Sequence, residues 1–285
     1  TSSNNNLTKN RVNSTQANSY VIYGTTFSHF NHSIDTTNLA EGKSVNYTYN
    51  AEDLIFDSID FTQYGQVIFA YSRNITITNS NFSDNGLSLL NTPNSTIENN
   101  EFNSTSGFGI YLESSSNSTI NNNTITTSGN SGFGIYLKST SNSTINNNTI
   151  TTSGNEGYGI YLYVYSNNNN INNNTITTLE DGSYGIGLYS SSNNNNINNN
   201  AITTLGRYAF GIYLYSSSNS NINNNNITTS GYHGDGILLD SSSNNNNLNN
   251  NNITTSGTSG YGIWISSNTN NNTFSRMNIN TNNTN

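Results

Sequence analysis

Seven times, at steps of 25 or 26 residues, the chain returns to a glycine followed by isoleucine. The copies are Gly109-Ile110-Tyr111-Leu112, Gly134-Ile135-Tyr136-Leu137, Gly159-Ile160-Tyr161-Leu162, Gly185-Ile186-Gly187-Leu188, Gly211-Ile212-Tyr213-Leu214, Gly236-Ile237-Leu238-Leu239 and Gly262-Ile263-Trp264-Ile265. A period in this range marks one supersecondary unit of a solenoid, in which each repeat packs only on its neighbours. A second register runs beside the first: Ile120/Ile125 returns as Ile145/Ile150, Ile171/Ile176, Ile197/Ile202, Ile222/Ile227, Leu248/Ile253 and Phe274/Ile279. Upstream the same five-residue pair reads Ile97/Phe102, Ile77/Phe82 and Phe56/Phe61, so about ten coils share one register and argue for one domain.

Each coil divides into three short strands. Ile110 and Leu112 alternate onto one face, which must be the core, and Tyr111 points outward. Because side chains alternate with period two, the inward pair Ile120 and Ile125 cannot lie on one straight strand. The bend falls at Asn121-Asn122-Asn123, since Asn tolerates the left-handed region and bonds its local backbone. Equivalent triplets, such as Asn146 to Asn148 and Asn172 to Asn174, would stack into a ladder of amides about 4.8 Å apart. The expected fold is all-β: a right-handed parallel β-helix over 51–285, three strands per coil, with 1–50 as an N-terminal cap or assembly segment.

Gly-Ile-Tyr-Leu followed by Ser/Asn and then Ile-Asn-Asn-Asn-Thr-Ile resembles the right-handed parallel β-helix proteins with pectate-lyase-like coils, in particular the Asn-rich repeats of archaeal adhesin-like surface proteins. The resemblance covers roughly 51–285 and implies the fold. That family holds lyases, hydrolases, adhesins and structural proteins, so it does not by itself choose a function.

With 31% hydrophobic and 8% charged residues, an aperiodic chain would stay disordered. Here a thin core suffices because each coil covers the next. A net charge of −8, with only 7 Lys and Arg, argues against nucleic acid, which needs clustered cations. No apolar stretch approaches the ~20 residues that span a bilayer. The chain has no cysteine, which excludes disulfides and thiolate metal sites, and it starts at Thr1 as a processed product would.

Glycosidases need two carboxyls within about 5 to 9.5 Å. On the outward position after the repeat motif stand Glu113, Lys138, Tyr163, Tyr189, Tyr215, Asp240 and Ser266. Glu113 and Asp240 are five coils, or about 24 Å, apart. Glu52/Asp53 and Asp57/Asp60 are the densest acidic groups, with no basic partner evident. His233, Asp235 and Asp240 form the best isolated metal or acid/base candidate, weighed against a solvated loop. His29 and His32 lack a third ligand. Tyr111, Tyr136, Tyr161, Tyr213 and Trp264 make a broken outward aromatic ladder, suited to stacking on glycans or to a subunit contact. Thr124/Thr126, Thr149/Thr151 and Thr175/Thr177 resemble an ice-binding face, but Ala201, Asn226 and Asn252 interrupt the row.

Candidate glycosylation sequons are Asn6, Asn13, Asn31, Asn46, Asn74, Asn94, Asn103, Asn117, Asn142 and Asn271. Those at Asn122, Asn147 and Asn173 are expected to stay bare, because the ladder would use their amides. The reading is a non-enzymatic, extracellular or cell-surface β-solenoid, structural or adhesive and glycosylated. It would have no cofactor and no metal, and would associate head-to-tail with copies of itself into a filament. The alternatives are a carbohydrate-binding or polysaccharide-cleaving β-helix, with surface polysaccharide as partner, and an ice-binding solenoid.

Overall fold

The computed structural model of the protein describes residues 3–14 and 18–282. Each coil gives one strand to each of three parallel sheets; in one coil these are Ile160–Tyr163 (sheet 1), Asn170–Asn172 (sheet 2) and Thr175–Thr178 (sheet 3). Sheet 1 holds 12 strands, sheet 2 holds 10 and sheet 3 holds 9, so the chain is an all-β parallel solenoid, as the repeat requires. Like residues pair in register: Ile160 with Ile186, Ile171 with Ile197 and Ile176 with Ile202. Ile160, Leu162 and Ile171 are completely buried and Ile176 nearly so, within one core running from Phe61 to Ile253. At the N-terminal end the third column is aromatic, with Phe61, Phe82 and Phe102 stacked at 4.8 and 4.5 Å.

The repeating glycine is explained by close approach rather than by an unusual φ. A Cβ at Gly159 would lie 2.3 Å from Ile176 Cγ2 and 2.7 Å from the carbonyl oxygen of Gly185 in the next coil. Coils stacked at strand spacing leave no room for a side chain there. Opposite, the long corner is closed from inside: the buried hydroxyls of Thr127, Thr152 and Thr178 donate to the carbonyls of Gly132, Gly157 and Ser183 at 2.7, 2.6 and 2.8 Å.

The Asn bend differs from the expected ladder in one respect. Only the third Asn of each triplet turns inward: Asn123, Asn148, Asn174, Asn200, Asn225 and Asn251 are buried. Asn174 Oδ1 accepts from Asn148 N and Asn148 Nδ2, each at 3.0 Å, while Asn174 Nδ2 donates to Ile145 O, Asn172 O and Asn200 Oδ1. The middle Asn takes the left-handed conformation, with φ of 55° at Asn122 and Asn147 and 56° at Asn173, and is exposed. The middle Asn thus stands outside the buried ladder, although the amides of Asn173 and Asn122 still donate across coils, to Asn146 Oδ1 at 3.1 Å and to Glu98 Oε1 at 3.4 Å. None of the buried ladder residues is a sequon, because the residue two positions on is a core isoleucine.

Residues Lys43–Tyr49 pair in parallel with Tyr64–Ala70 and so cover the sheet 1 edge of the chain's own first coil. Leu39–Ala40 pairs antiparallel with that strand, and Arg11–Val12 lies beyond it. Lys43 Nζ reaches Asp84 at 2.8 Å and ties this region to the following coils. Among the described residues, no helix is long and apolar enough to cross a membrane.

Candidate functional site

Two columns of aromatic side chains run along the outer face at sheet 1. The first is Phe108, Phe133, Tyr158, Tyr184 and Phe210, whose successive rings stack with centroids 5.2, 5.0, 4.5 and 4.9 Å apart. The second begins Tyr111, Tyr136 and Tyr161, at 5.0 and 5.1 Å. Rings spaced by one coil cover each other's faces, so this ladder shows solvent mainly ring edges and hydroxyls. Tyr111 is 5% exposed and Tyr213 8%. Burial, foremost, pushes the phenols of Tyr111, Tyr136, Tyr161 and Tyr213 up, so all four stay neutral hydrogen-bond donors at physiological pH. Tyr111 donates to Glu113 Oε2 at 2.5 Å and Tyr213 to Asp240 Oδ2 at 3.0 Å. The second column is broken at Gly187, where Tyr189 leans into the gap beside Tyr161.

Tyr111 is outward yet buried because an N-terminal strap crosses sheet 1. Tyr20 and Gln66 exchange two hydrogen bonds of 2.9 Å, Asn18 Nδ2 donates to Ser88 Oγ at 3.0 Å, and Phe108 N donates to Asn18 Oδ1 at 3.1 Å. Beneath lie Ile68, Leu90 and Tyr111. One signal in the sequence points to a cover without saying which segment supplies it: Val67, Ile68, Phe69 and Ala70 are apolar on both faces of the strand, which requires a layer on each side.

At the other end of the rod, aromatic rings are free. The long corner contains one left-handed position per coil, held by Ser131, Glu156, Gly182, Tyr208, His233 and Ser259 with φ between 52° and 65°. Tyr208 and His233 hold this position at a cost of order 1–3 kcal/mol, as Ser131 and Glu156 do in earlier coils. Tyr208 and His233 stack at 5.4 Å, Tyr232 meets His233 edge-on at 4.2 Å, and the Arg207 guanidinium lies 5.4 Å over Tyr232. Beside them, Tyr261 and Trp264 are 6.1 Å apart and tilted, half exposed, and with His233, Ile263 and Ile265 they line a cavity of about 300 Å³.

Asp235 sits under this corner at the place the first column otherwise gives to an aromatic ring. It is 1% exposed; Oδ1 accepts from Tyr261 N at 2.7 Å, and Oδ2 has no partner among the described residues. Burial raises its carboxyl to about 6, against the lowering effects of the Tyr261 hydrogen bond and of His233. A carboxyl raised above its unfolded value favours folding most when protonated. Its contribution is therefore full below about pH 4 and is lost as pH rises through about 6, by roughly 3 kcal/mol at most. Thermal melts from pH 4 to 7 should show this decline, and Asp235→Asn should flatten it. An unchanged slope in the variant would assign the pH dependence elsewhere.

Asp240 does not join Asp235 and His233. It lies about five strand residues, or about 16 Å, from Asp235. There its carboxyl is held low: burial opposes ionisation, but hydrogen bonds from Ser266, Tyr213 and Ser241 outweigh it. The early acidic groups also differ from expectation. Glu52 has a basic partner, Arg73, one coil on. Glu113 likewise pairs with Lys138 at 2.8 Å, a neighbour the register makes visible once residues 25 apart are read as adjacent. His29 and His32 line a cavity beneath the N-terminal segment. Asn6, Asn13, Asn31, Asn74, Asn94, Asn103, Asn117, Asn142 and Asn271 are exposed and Asn46 is half-buried; Thr15 of the Asn13 sequon lies outside the described residues.

The family model described as "right handed beta helix region" matches residues 65–208 and 177–279, most of the chain. The chain belongs to this right-handed β-helix family. Among solved structures it is similar to a variant of the periplasmic alginate epimerase AlgG (16% identity, 97% of this chain and 69% of that one, TM-score 0.62). It is also similar to the mannuronan C-5 epimerase A-module of Azotobacter vinelandii (15%, 94% and 88%, TM-score 0.58). A third is PfbA, a surface adhesin of Streptococcus pneumoniae (14%, 85% and 77%, TM-score 0.55). No curated protein matches the sequence. At these identities the likeness establishes the fold. It also corrects the expectation of a chain without enzymatic role, since two of these three β-helices are epimerases and the shared architecture gives no ground for that exclusion.

Proposed function

We propose that this β-helix binds polysaccharide outside the cytoplasm, through the exposed aromatic corner formed by Arg207, Tyr208, Tyr232, His233, Tyr261 and Trp264. One observation carries the reading: Tyr208, Tyr232, Tyr261 and Trp264 are 40–54% exposed, while the rings of the stacked ladder beside them cover one another's faces. A sugar ring presents C–H bonds of partial positive charge, which the negative face of an aromatic ring attracts, and neighbouring polar groups then orient the hydroxyls. The similar structures, an alginate epimerase, a mannuronan epimerase and a surface adhesin, support a carbohydrate-related or surface role.

Trp264 is the single tryptophan, so its fluorescence reports on this corner alone. A glycan array should identify binding polysaccharides, and those should shift or quench the Trp264 emission. Tyr232→Ala is expected to weaken binding at least tenfold, or about 1.4 kcal/mol, with little change in melting because the ring is exposed. An array without hits, together with silent fluorescence, would end the reading.

Catalysis on the bound chain is the second reading, and Asp235 favours it. A carboxyl near 6 in a buried site suits proton transfer at neutral pH. Asp240 lies too far away to act with Asp235 as the second carboxyl of a hydrolase, so a single-base reaction fits the two better. Product analysis of incubated polysaccharide, by mass and by epimer composition, tests this, with Asp235→Asn as the variant expected to abolish turnover.

We also propose that the exposed corners carry glycans when the chain is made in a glycosylating host. Glycopeptide mapping should find occupancy at Asn94, Asn117 or Asn142, and peptides bare at every corner would remove this part of the proposal.

A further inference from the structure

We infer a second ligand site near the opposite end of the rod: the cavity between the N-terminal segment and sheet 1 takes one or two rings of a neutral sugar. The inference rests on the carbohydrate reading above but on different residues. The cavity measures about 670 Å³, within the range of small-ligand sites, and has apolar walls from Leu7, Ile22 and Ile34. Its polar groups come from two parts of the chain. His29 and His32 stand on the N-terminal segment and Glu113 on sheet 1.

The hydrogen bonds set what each group offers. Thr25 N donates to His29 Nδ1 at 3.1 Å and Asn5 N to His32 Nδ1 at 3.3 Å. With both Nδ1 atoms accepting, each neutral imidazole carries its proton on Nε2 and presents an N–H donor. Glu113 is held by Lys138 at 2.8 Å and by the Tyr111 hydroxyl at 2.5 Å, and its carboxylate oxygens keep further lone pairs for a donor. Two N–H donors and one carboxylate acceptor match hydroxyl groups, which accept and donate at once. A uronate would set its own charge against Glu113 in a protein already at −8. Tyr23, 66% exposed, lines the same cavity; Lys138 Nζ sits 4.6 Å over its ring, and the opposite face is free to stack on a sugar.

The chain has three histidines, which makes the test direct. Imidazole NMR spectra of the ¹⁵N-labelled protein, titrated at fixed pH with maltose, cellobiose or lactose, read this cavity through His29 and His32 and the aromatic corner through His233. Saturable shifts at His29 and His32 at millimolar sugar, weakened at least tenfold by Tyr23→Ala, are the expected result. That variant leaves the Tyr20–Gln66 bonds of the strap in place and should keep the His233 response. Shifts confined to His233 would overturn the cavity site while leaving the corner intact; shifts at His29 and His32 alone would support the cavity, and the corner is then decided by the glycan array. Silence at His29 and His32 overturns the cavity site, and tighter binding of a digalacturonate than of any neutral disaccharide overturns the assignment to neutral sugars.

Discussion

Ile160→Asp is expected to abolish cooperative folding of the rod at room temperature. Ile160 is completely buried between Ile135 and Ile186, its partners in the coils on either side. Losing the aliphatic side chain removes about 1.5–3 kcal/mol, and burying a carboxylate among isoleucines with no partner adds several more. Domains are stable by only about 5–15 kcal/mol in total, so one such change consumes most of the margin. In a solenoid the damage also falls on two interfaces at once, because each coil is held by its neighbours. Circular dichroism melts should show a lost or grossly lowered transition. Thr126→Asp, on the exposed face of sheet 3, should stay within about 0.5 kcal/mol of the parent. Wild-type melting of Ile160→Asp would refute the assigned register.

The second large effect is expected at the Asn bend, as a contrast between adjacent residues. Asn174→Leu removes an acceptor used by two donors of Asn148 and a donor used by Ile145 O, Asn172 O and Asn200 Oδ1, all in the dry interior. Each buried group left unpaired costs about 1–3 kcal/mol, so destabilisation of about 3–6 kcal/mol is expected. Asn173→Gly, one residue earlier, changes an exposed left-handed position that glycine adopts freely, and should be close to neutral. Urea titrations of the two variants decide the matter: equal midpoints would mean that the buried ladder does not support the corner.

The strictly periodic part of this protein was legible without coordinates. The glycine step, the inward pairs Ile110/Leu112 and Ile120/Ile125, and the need for a bend between the last two follow from side-chain alternation repeated seven times. Each coil meets a copy of itself, so a contact between coils is written twice in the sequence, 25 or 26 residues apart. Which Asn of a triplet turns inward was not legible, because three identical residues give no pattern; the left-handed φ at Asn173 decided it by rotating Asn174 into the core. Aperiodic contacts were also hidden. The strap over Tyr111, the cavity beside His29 and the pairing of Glu52 with Arg73 join segments whose spacing repeats nowhere else or drifts to 20–23 residues. His233, Asp235 and Trp264 stood out separately in the sequence, but they became one site with Tyr208 only when the corner's geometry brought them together. Alternation says which side of a strand a residue faces. Whether that side meets water depends on what else the chain lays across it, and only the tertiary structure decided that here.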